Sequence, residues 1–167
     1  MTALDARKAR AVASLPAAEV ARLERTAQSF FDARVADEID RSRPERVAVE
    51  ARERATLDDA YVSALEQVRN PSFPPGDQDP KTAESELDRV FLRLMNCSNV
   101  PETEGATSGA ISRANIRNTE RLWREYRDAW AELGVAVRSD GGSGRWRAWA
   151  ARERTRMLAG LADGRCP

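Results

Sequence analysis

Apolar side chains recur along most of this chain at intervals of three or four residues, the spacing that brings them onto one face of an α-helix. The first two long stripes occupy residues 20–39 and 57–68. Three more occupy residues 83–95, 119–137 and 146–161. No stretch alternates apolar and polar residues between turn signals, as a half-buried strand does. The pattern predicts an all-α protein, a bundle of five or six helices arranged as long antiparallel hairpins.

Proline, glycine and capping residues mark where these helices are expected to begin and end. Pro16 suits a first helical turn, and Asp79-Pro80 and Ser112 are typical residues for the start of the third and fourth stripes. Segments rich in proline or glycine at Asn70–Asp77 and Ser139–Gly144 predict breaks between helices.

The two halves of the chain share a short sequence and the same order of elements. Ala51-Arg-Glu-Arg54 returns as Ala151-Arg-Glu-Arg154, each time in the second long helix of a hairpin. Each half also reads as a short helix, a long helix, a break and a long helix. Such self-similarity indicates an internal duplication. We therefore predict two helical units, residues 1–70 and 80–163, joined by a linker at 71–79.

Composition and charge exclude several classes of protein. Apolar residues make up 41% and charged residues 32%, which is typical of a folded domain rather than a disordered chain. Residues 71–111 carry seven acidic and three basic side chains, whereas residues 112–167 carry seven and twelve. This imbalance is too small to predict a nucleic-acid partner. No apolar run approaches the roughly 20 residues of a membrane span.

The residues needed for catalysis are largely missing. Histidine is absent, which removes the commonest general base and metal ligand. The neighbouring carboxylates Asp58-Asp59 and Glu84, Glu86 and Asp88 lie mainly on the polar sides of their helices, where a solvated surface is the simpler interpretation. There is no phosphate-binding loop and no cluster of metal ligands. We therefore expect no enzymatic activity, no cofactor and no metal.

Cys97 and Cys166 form an even pair of cysteines that are far apart in sequence. Such a pair is consistent with a disulfide bond and equally with two buried thiols, so it leaves the cellular compartment open. The first fourteen residues are too charged for a secretory signal. The chain is expected either to be cytosolic or to begin after a signal that has been removed.

Aromatic residues are concentrated in the segment Thr119–Trp130. Trp123, Tyr126 and Trp130 share one helical stripe, with Arg127-Asp128 beside it. The simpler interpretation is the core of a helical hairpin, with Arg127 and Asp128 as a partly buried ion pair that orients neighbouring helices. The alternative is that these two charges contact a partner directly.

The second half of the chain resembles the LprI family of bacterial lysozyme inhibitors over residues 84–161. Trp123-Arg-Glu-Tyr-Arg-Asp128 matches the Trp-x-x-Tyr-Arg-Asp helix of that family. Glu84–Phe91 matches the helix before it, with aspartate at a position where asparagine is usual, and Trp146–Leu158 matches the helix after it. Residues 1–69 look like a degenerate copy. Family members are usually exported and carry several cysteines near these motifs, whereas this sequence shows no recognisable signal peptide, has tryptophan at position 130 and carries only Cys97 and Cys166.

The resemblance implies a non-catalytic protein of the bacterial envelope or periplasm that binds a lysozyme and blocks its cleft. The long polar loop Asn96–Gly109 is the expected contact segment, because a cationic enzyme favours an acidic and preorganised protrusion. Glu102, Glu104 and Asp140 are the candidate contact residues. A disulfide between Cys97 and Cys166 would anchor the base of this loop.

Two other functions remain open from the sequence. The first is a helical protein-interaction or regulatory module without lysozyme activity, which would fit a cytoplasmic protein. The second and weaker one is nucleic-acid binding through the basic segment 112–167, where basic and aromatic residues alternate around Arg145-Trp-Arg-Ala-Trp149.

Overall fold

The chain forms six α-helices in the computed structural model, which describes residues 2–40, 44–76, 79–104, 110–138 and 142–166. No strand occurs in these ranges, so the prediction of an all-α bundle is confirmed. None of the helices, within the same ranges, is long and apolar enough to cross a membrane. The helices are α1 (Ala3–Val12), α2 (Ala17–Asp37), α3 (Arg46–Gln67), α4 (Pro80–Met95), α5 (Arg113–Val137) and α6 (Gly142–Asp163).

Side-chain caps determine where α4 and α5 begin. The Asp79 carboxylate accepts a hydrogen bond from the Thr82 amide at 3.1 Å, directly before Pro80 in the first turn of α4. The Ser112 hydroxyl accepts one from the Asn115 amide at 3.2 Å. Each cap satisfies an amide that has no carbonyl partner within the first turn of its helix. Both starts lie where the capping residues predicted them.

The predicted break at Ser139–Gly144 is wrong in its second half, because α6 already begins at Gly142. Gly144 instead allows the start of α6 to lie close to the start of α4. A Cβ atom on Gly144 would lie 2.9 Å from Cγ of Pro80 at the start of α4. Two helix starts meet at this point, and a larger side chain would separate them.

The helices pack in an order that repeats in the two halves of the chain. In the first half α1 packs on α3 and α3 contacts α2, and in the second half α4 packs on α6 and α6 contacts α5. The halves meet along their second helices, α2 and α5. A duplication predicts this arrangement, but the duplication stays a prediction, as do the unit boundaries at 1–70, 71–79 and 80–163. The buried apolar residues of both halves form one continuous core.

Aromatic side chains occupy the centre of that core. The fully buried Trp130 packs edge-on against Tyr61 and Trp149, with ring centroids 5.9 and 5.3 Å apart, and stacks on Trp146 at 6.2 Å. A Cβ atom on Gly134 would lie 2.1 Å from the Trp146 ring, so this glycine is what allows α5 and α6 to cross closely. Such edge-on and stacked pairs contribute beyond their buried area. The cluster joins α3, α5 and α6.

Candidate functional site

The loop that follows α4 is tied to the C-terminal end of the chain. Cys97 and Cys166 form a disulfide bond that links positions 69 residues apart, with their Cα atoms separated by 5.5 Å. The Asn99 side-chain amide donates a hydrogen bond to the carbonyl oxygen of Arg165 at 2.8 Å. Of the two alternatives that the cysteine count left open, the structure therefore contains the disulfide.

Of the predicted contact loop Asn96–Gly109, residues 105–109 lie outside the described residues, and the described part is held against the first turn of α5. The amide of Arg113 donates to the carbonyl oxygen of Pro101 at 2.8 Å, and the amide of Ala114 donates to that of Glu102 at 3.0 Å. The Arg113 guanidinium also donates to the Met95 carbonyl at 3.0 Å. We call residues 96–104 the anchored loop. Its conformation is fixed at both ends, although most of its side chains are exposed.

The structure brings two of the three predicted contact residues together. Glu102 forms ion pairs with Arg117 and, at 3.3 Å, with Arg113. The hydrogen bond from Arg117 is the main cause that lowers the pKa of the Glu102 carboxyl. Glu104 accepts a hydrogen bond from the Asn115 side chain at 3.0 Å. The third predicted residue, Asp140, lies outside the described residues.

The ion pairs with Arg113 and Arg117 make the loop less negative than the sequence suggested. Glu102 was predicted to present its negative charge to a cationic enzyme, yet two guanidinium groups of α5 offset that charge locally. The Glu102 side chain is still 56% exposed, so it remains accessible to a partner. The anchored loop is therefore a rigid polar surface rather than a strongly acidic one.

Arg127 and Asp128, which lie beside the aromatic stripe of α5, link helices. Arg127 forms an ion pair with Asp128 at 2.9 Å and reaches Glu84 of α4 at 3.3 Å, and its guanidinium lies 5.4 Å from the centre of the Trp123 ring. Asp128 also pairs with Arg147 of α6 at 3.3 Å. Because these charges are partly buried and engaged with α4 and α6, their contacts orient helices.

A cluster of buried charges, which the sequence did not predict, lies where α2, α5 and α6 meet. We call Arg34, Glu38, Glu120 and Arg154 the buried charge cluster. Arg154 is fully buried and donates to both oxygens of Glu38, at 2.8 and 2.5 Å, and to Glu120 at 3.0 Å. Arg34 donates to Glu38 at 2.6 Å. The cluster crosslinks three helices through charge-assisted hydrogen bonds.

Burial and pairing have opposite effects on the pKa values of this cluster. Burial alone would raise the pKa of Glu38, but Arg154 and Arg34 together outweigh it and lower that pKa. Burial raises the pKa of Glu120, and the contact with Arg154 offsets this only in part. Burial alone would lower the pKa of Arg154, but its two carboxylate partners raise it. Because the four side chains are almost completely buried, their charges position helices rather than contact a partner.

One sequence signal could have revealed the cluster. Arg154 lies midway between Ala150 and Leu158, at the four-residue spacing that defines the buried face of α6. A charged residue in such a position is buried only when it has a partner. The partners themselves, Glu38 and Glu120, are 116 and 34 residues away and carry no comparable signal.

Substitution of Glu38 by glutamine is expected to change how stability depends on pH. Because folding lowers the pKa of Glu38 from its ordinary 4.5, its ionised form stabilises the native state at neutral pH. That stabilisation is lost as the pH falls below the ordinary value towards the lowered one. Glu38→Gln cannot titrate, so the variant should be less stable than the unaltered protein at pH 7, and the difference should shrink towards pH 3. Urea unfolding of both proteins between pH 7 and pH 3 measures this difference in the free energy of unfolding. A difference that stays constant over this pH range would contradict the prediction.

Comparisons with protein-family models, curated proteins and solved structures give no match. The resemblance to LprI inhibitors therefore stays a prediction. Within the described ranges, no group of three or more histidine, cysteine, aspartate or glutamate side chains is placed to hold a metal ion.

Proposed function

We propose that this chain is a non-catalytic binding protein of the LprI lysozyme-inhibitor type, and that the anchored loop at residues 96–104 forms its contact surface. The observation that carries the proposal is that an exposed polar segment is held at one end by the disulfide and at the other by α5. The resemblance of residues 84–161 to the inhibitor family names the class of partner.

Rigidity is the first argument for a contact role. A flexible loop loses conformational freedom when it binds, and this loss lowers affinity. In the anchored loop much of that ordering has already occurred, because Val100 is fully buried and the carbonyl groups of Pro101 and Glu102 are hydrogen-bonded. Exposed side chains on a fixed backbone are suited to insertion into a cleft of fixed shape.

Charge has a smaller role in this proposal than in the sequence prediction. The ion pairs of Glu102 with Arg113 and Arg117 reduce the negative potential that a cationic enzyme would meet. We therefore expect steric blocking to dominate and binding to weaken only moderately as salt is raised.

The disulfide supports an envelope location. Structural disulfides form and persist in oxidising compartments such as the bacterial periplasm and are rare in the cytosol. A protein that acts on lysozyme in the bacterial envelope would keep the bond between Cys97 and Cys166 under its working conditions.

Lysozyme turnover in the presence of the oxidised protein tests the proposal. A rising excess of the protein should reduce the hydrolysis of bacterial cell walls by at least one lysozyme type, with saturation at high excess. Unchanged turnover of all lysozyme types tested would refute the proposal and favour the alternative, a helical interaction module that binds another protein.

Two exposed residues of the anchored loop allow the contact surface to be tested. Ser98→Arg combined with Thr103→Arg should weaken inhibition at least tenfold, because both changes add bulk and positive charge where a cationic partner is expected to approach. Ser85→Arg is the matched control. Ser85 is exposed on α4 and lies eleven residues before Asn96, about 16 Å along the helix. Equal inhibition by the loop variant and the control would place the contact surface elsewhere.

A further inference from the structure

A cavity of about 220 Å³ lies in the groove between α3 and α6, above a floor made by α2 and α5. Much of its lining is aromatic, and it includes Phe30, Trp123, Tyr126 and Trp149. A fully apolar engineered cavity of about 150 Å³ in another protein takes up benzene, so this volume is sufficient for a somewhat larger molecule.

The aromatic rings of this region already attract cations. The face of an aromatic ring is electron-rich, and a cation above it is stabilised. The Arg154 guanidinium lies 5.5 Å from the centre of the Phe30 ring, for example. Within the described ranges, no arginine or lysine lies over the rings of Tyr126 or Trp149. Both of these side chains are only half-buried, so a cation from solvent can reach them.

A carboxylate lies beside these two rings. Glu153 follows Trp149 by four residues and precedes Met157 by four, so all three share the face of α6 that lines the cavity. The Glu153 side chain is 36% exposed, so a ligand can reach it. Burial raises the pKa of Tyr126, and the nearby negative charge of Glu153 raises it further. An accessible carboxylate and accessible rings therefore meet on one wall.

The remaining charges around the cavity do not oppose a cationic ligand. The other charged residue of the lining, Arg154, is fully buried and compensated by Glu38 and Glu120. Glu153 pairs with Arg156 at 2.7 Å, but the Arg156 side chain is 69% exposed. Such surface ion pairs contribute little, so a ligand cation can share the carboxylate or displace this arginine.

We infer that the cavity between α3 and α6 binds a small organic cation, a quaternary ammonium group attached to an apolar body. Glu153 is the counter-charge, and Tyr126 and Trp149 are the rings that contact the cation. Quaternary ammonium ions suit such a site because aromatic side chains can replace their hydration shell. The site is separate from the anchored loop and does not depend on lysozyme binding.

Phenyltrimethylammonium and tert-butylbenzene form a matched pair of probes, because they share one shape and only the first carries a charge. The cation should bind the full chain in a saturable manner and at least as tightly as the neutral probe, as measured by ligand-observed NMR. A cavity that is merely apolar would prefer tert-butylbenzene, because that probe loses less hydration. Such a preference, or the absence of saturable binding of the cation, would overturn the inference.

Neutralisation of Glu153 tests its role as the counter-charge. Glu153→Gln should weaken the binding of phenyltrimethylammonium about fivefold and leave that of tert-butylbenzene unchanged. Glu125→Gln is the matched control, since Glu125 is also exposed and paired with an arginine, Arg121, but lies outside the lining. Equal losses for the two variants, or no loss for Glu153→Gln, would overturn the assignment of Glu153.

A substitution that fills the cavity tests the position of the site. Ala60 lines the cavity from an exposed position on α3, so Ala60→Trp can block the space without disturbing the core. It should weaken the binding of phenyltrimethylammonium more than tenfold. Ala55→Trp is the matched control, on an exposed position of the same helix outside the lining. The inference is overturned if the two tryptophan variants bind this probe equally well. Lysozyme is absent from these measurements, so their outcome is independent of the proposed function.

Discussion

Replacement of Arg154 by methionine is expected to lower the free energy of unfolding by about 3–5 kcal/mol. The guanidinium is fully buried and donates to Glu38 and Glu120, which are themselves almost completely buried. Methionine fills a similar volume but leaves both carboxylates without their principal partner in a medium of low polarity. Urea unfolding at pH 7, followed by circular dichroism, measures the change.

Arg156→Met provides the control for this prediction. Arg156 is on the same helix, is exposed, and pairs with Glu153 at 2.7 Å on the surface. Exposed ion pairs contribute about 0–1 kcal/mol, so this variant should unfold almost as the unaltered protein does. If the two arginine variants were equally stable, the buried charge cluster would have no structural importance.

Removal of the disulfide by Cys97→Ser with Cys166→Ser is the second large expected effect. The bond closes a loop of 69 residues, and the chain-entropy model assigns about 4 kcal/mol of stabilisation to a loop of this length. The closed loop contains all of α5 and α6. Loss of the disulfide bond therefore considerably enlarges the set of conformations that the unfolded chain can adopt. The midpoint of urea unfolding measures the effect.

The reduced form of the unaltered protein is the matched control for the double serine variant. In the presence of excess dithiothreitol it should unfold at nearly the same urea concentration as the variant, whereas the oxidised protein should require more. A variant as stable as the oxidised protein would mean that the hydrogen bonds of Arg93 and Asn99 to the C-terminal segment hold the loop without the covalent bond.

Local signals in the sequence predicted much of the fold. Asp79-Pro80 and Ser112 act within their own helical turns, so their effect can be read from a few neighbouring residues. Local signals gave the wrong prediction at Gly144, which was expected to break the helix. This glycine instead makes room for Pro80, which is more than sixty residues away in the sequence. Proximity of this kind is a property of tertiary packing and leaves no local pattern.

In the candidate site, too, contacts between residues that are distant in the sequence could not be predicted from local patterns. Glu102 looked like a free acidic residue because its partners Arg113 and Arg117 come after a long loop whose path the sequence does not specify. Ala51–Arg54 and Ala151–Arg154 are identical in sequence, yet Arg54 lies near the surface with Asp32 and Asp58 while Arg154 is fully buried. Identical residues differ here because the surrounding helices differ.

Amide hydrogen exchange of the oxidised protein, with and without a bound lysozyme, tests the central claim most directly. If the anchored loop is the contact surface, exchange should slow at residues 96–104 and in the first turns of α5, while α1 and the first half of α3 remain unchanged. Protection confined to any other surface, or no change in the presence of a saturating lysozyme, would contradict the account.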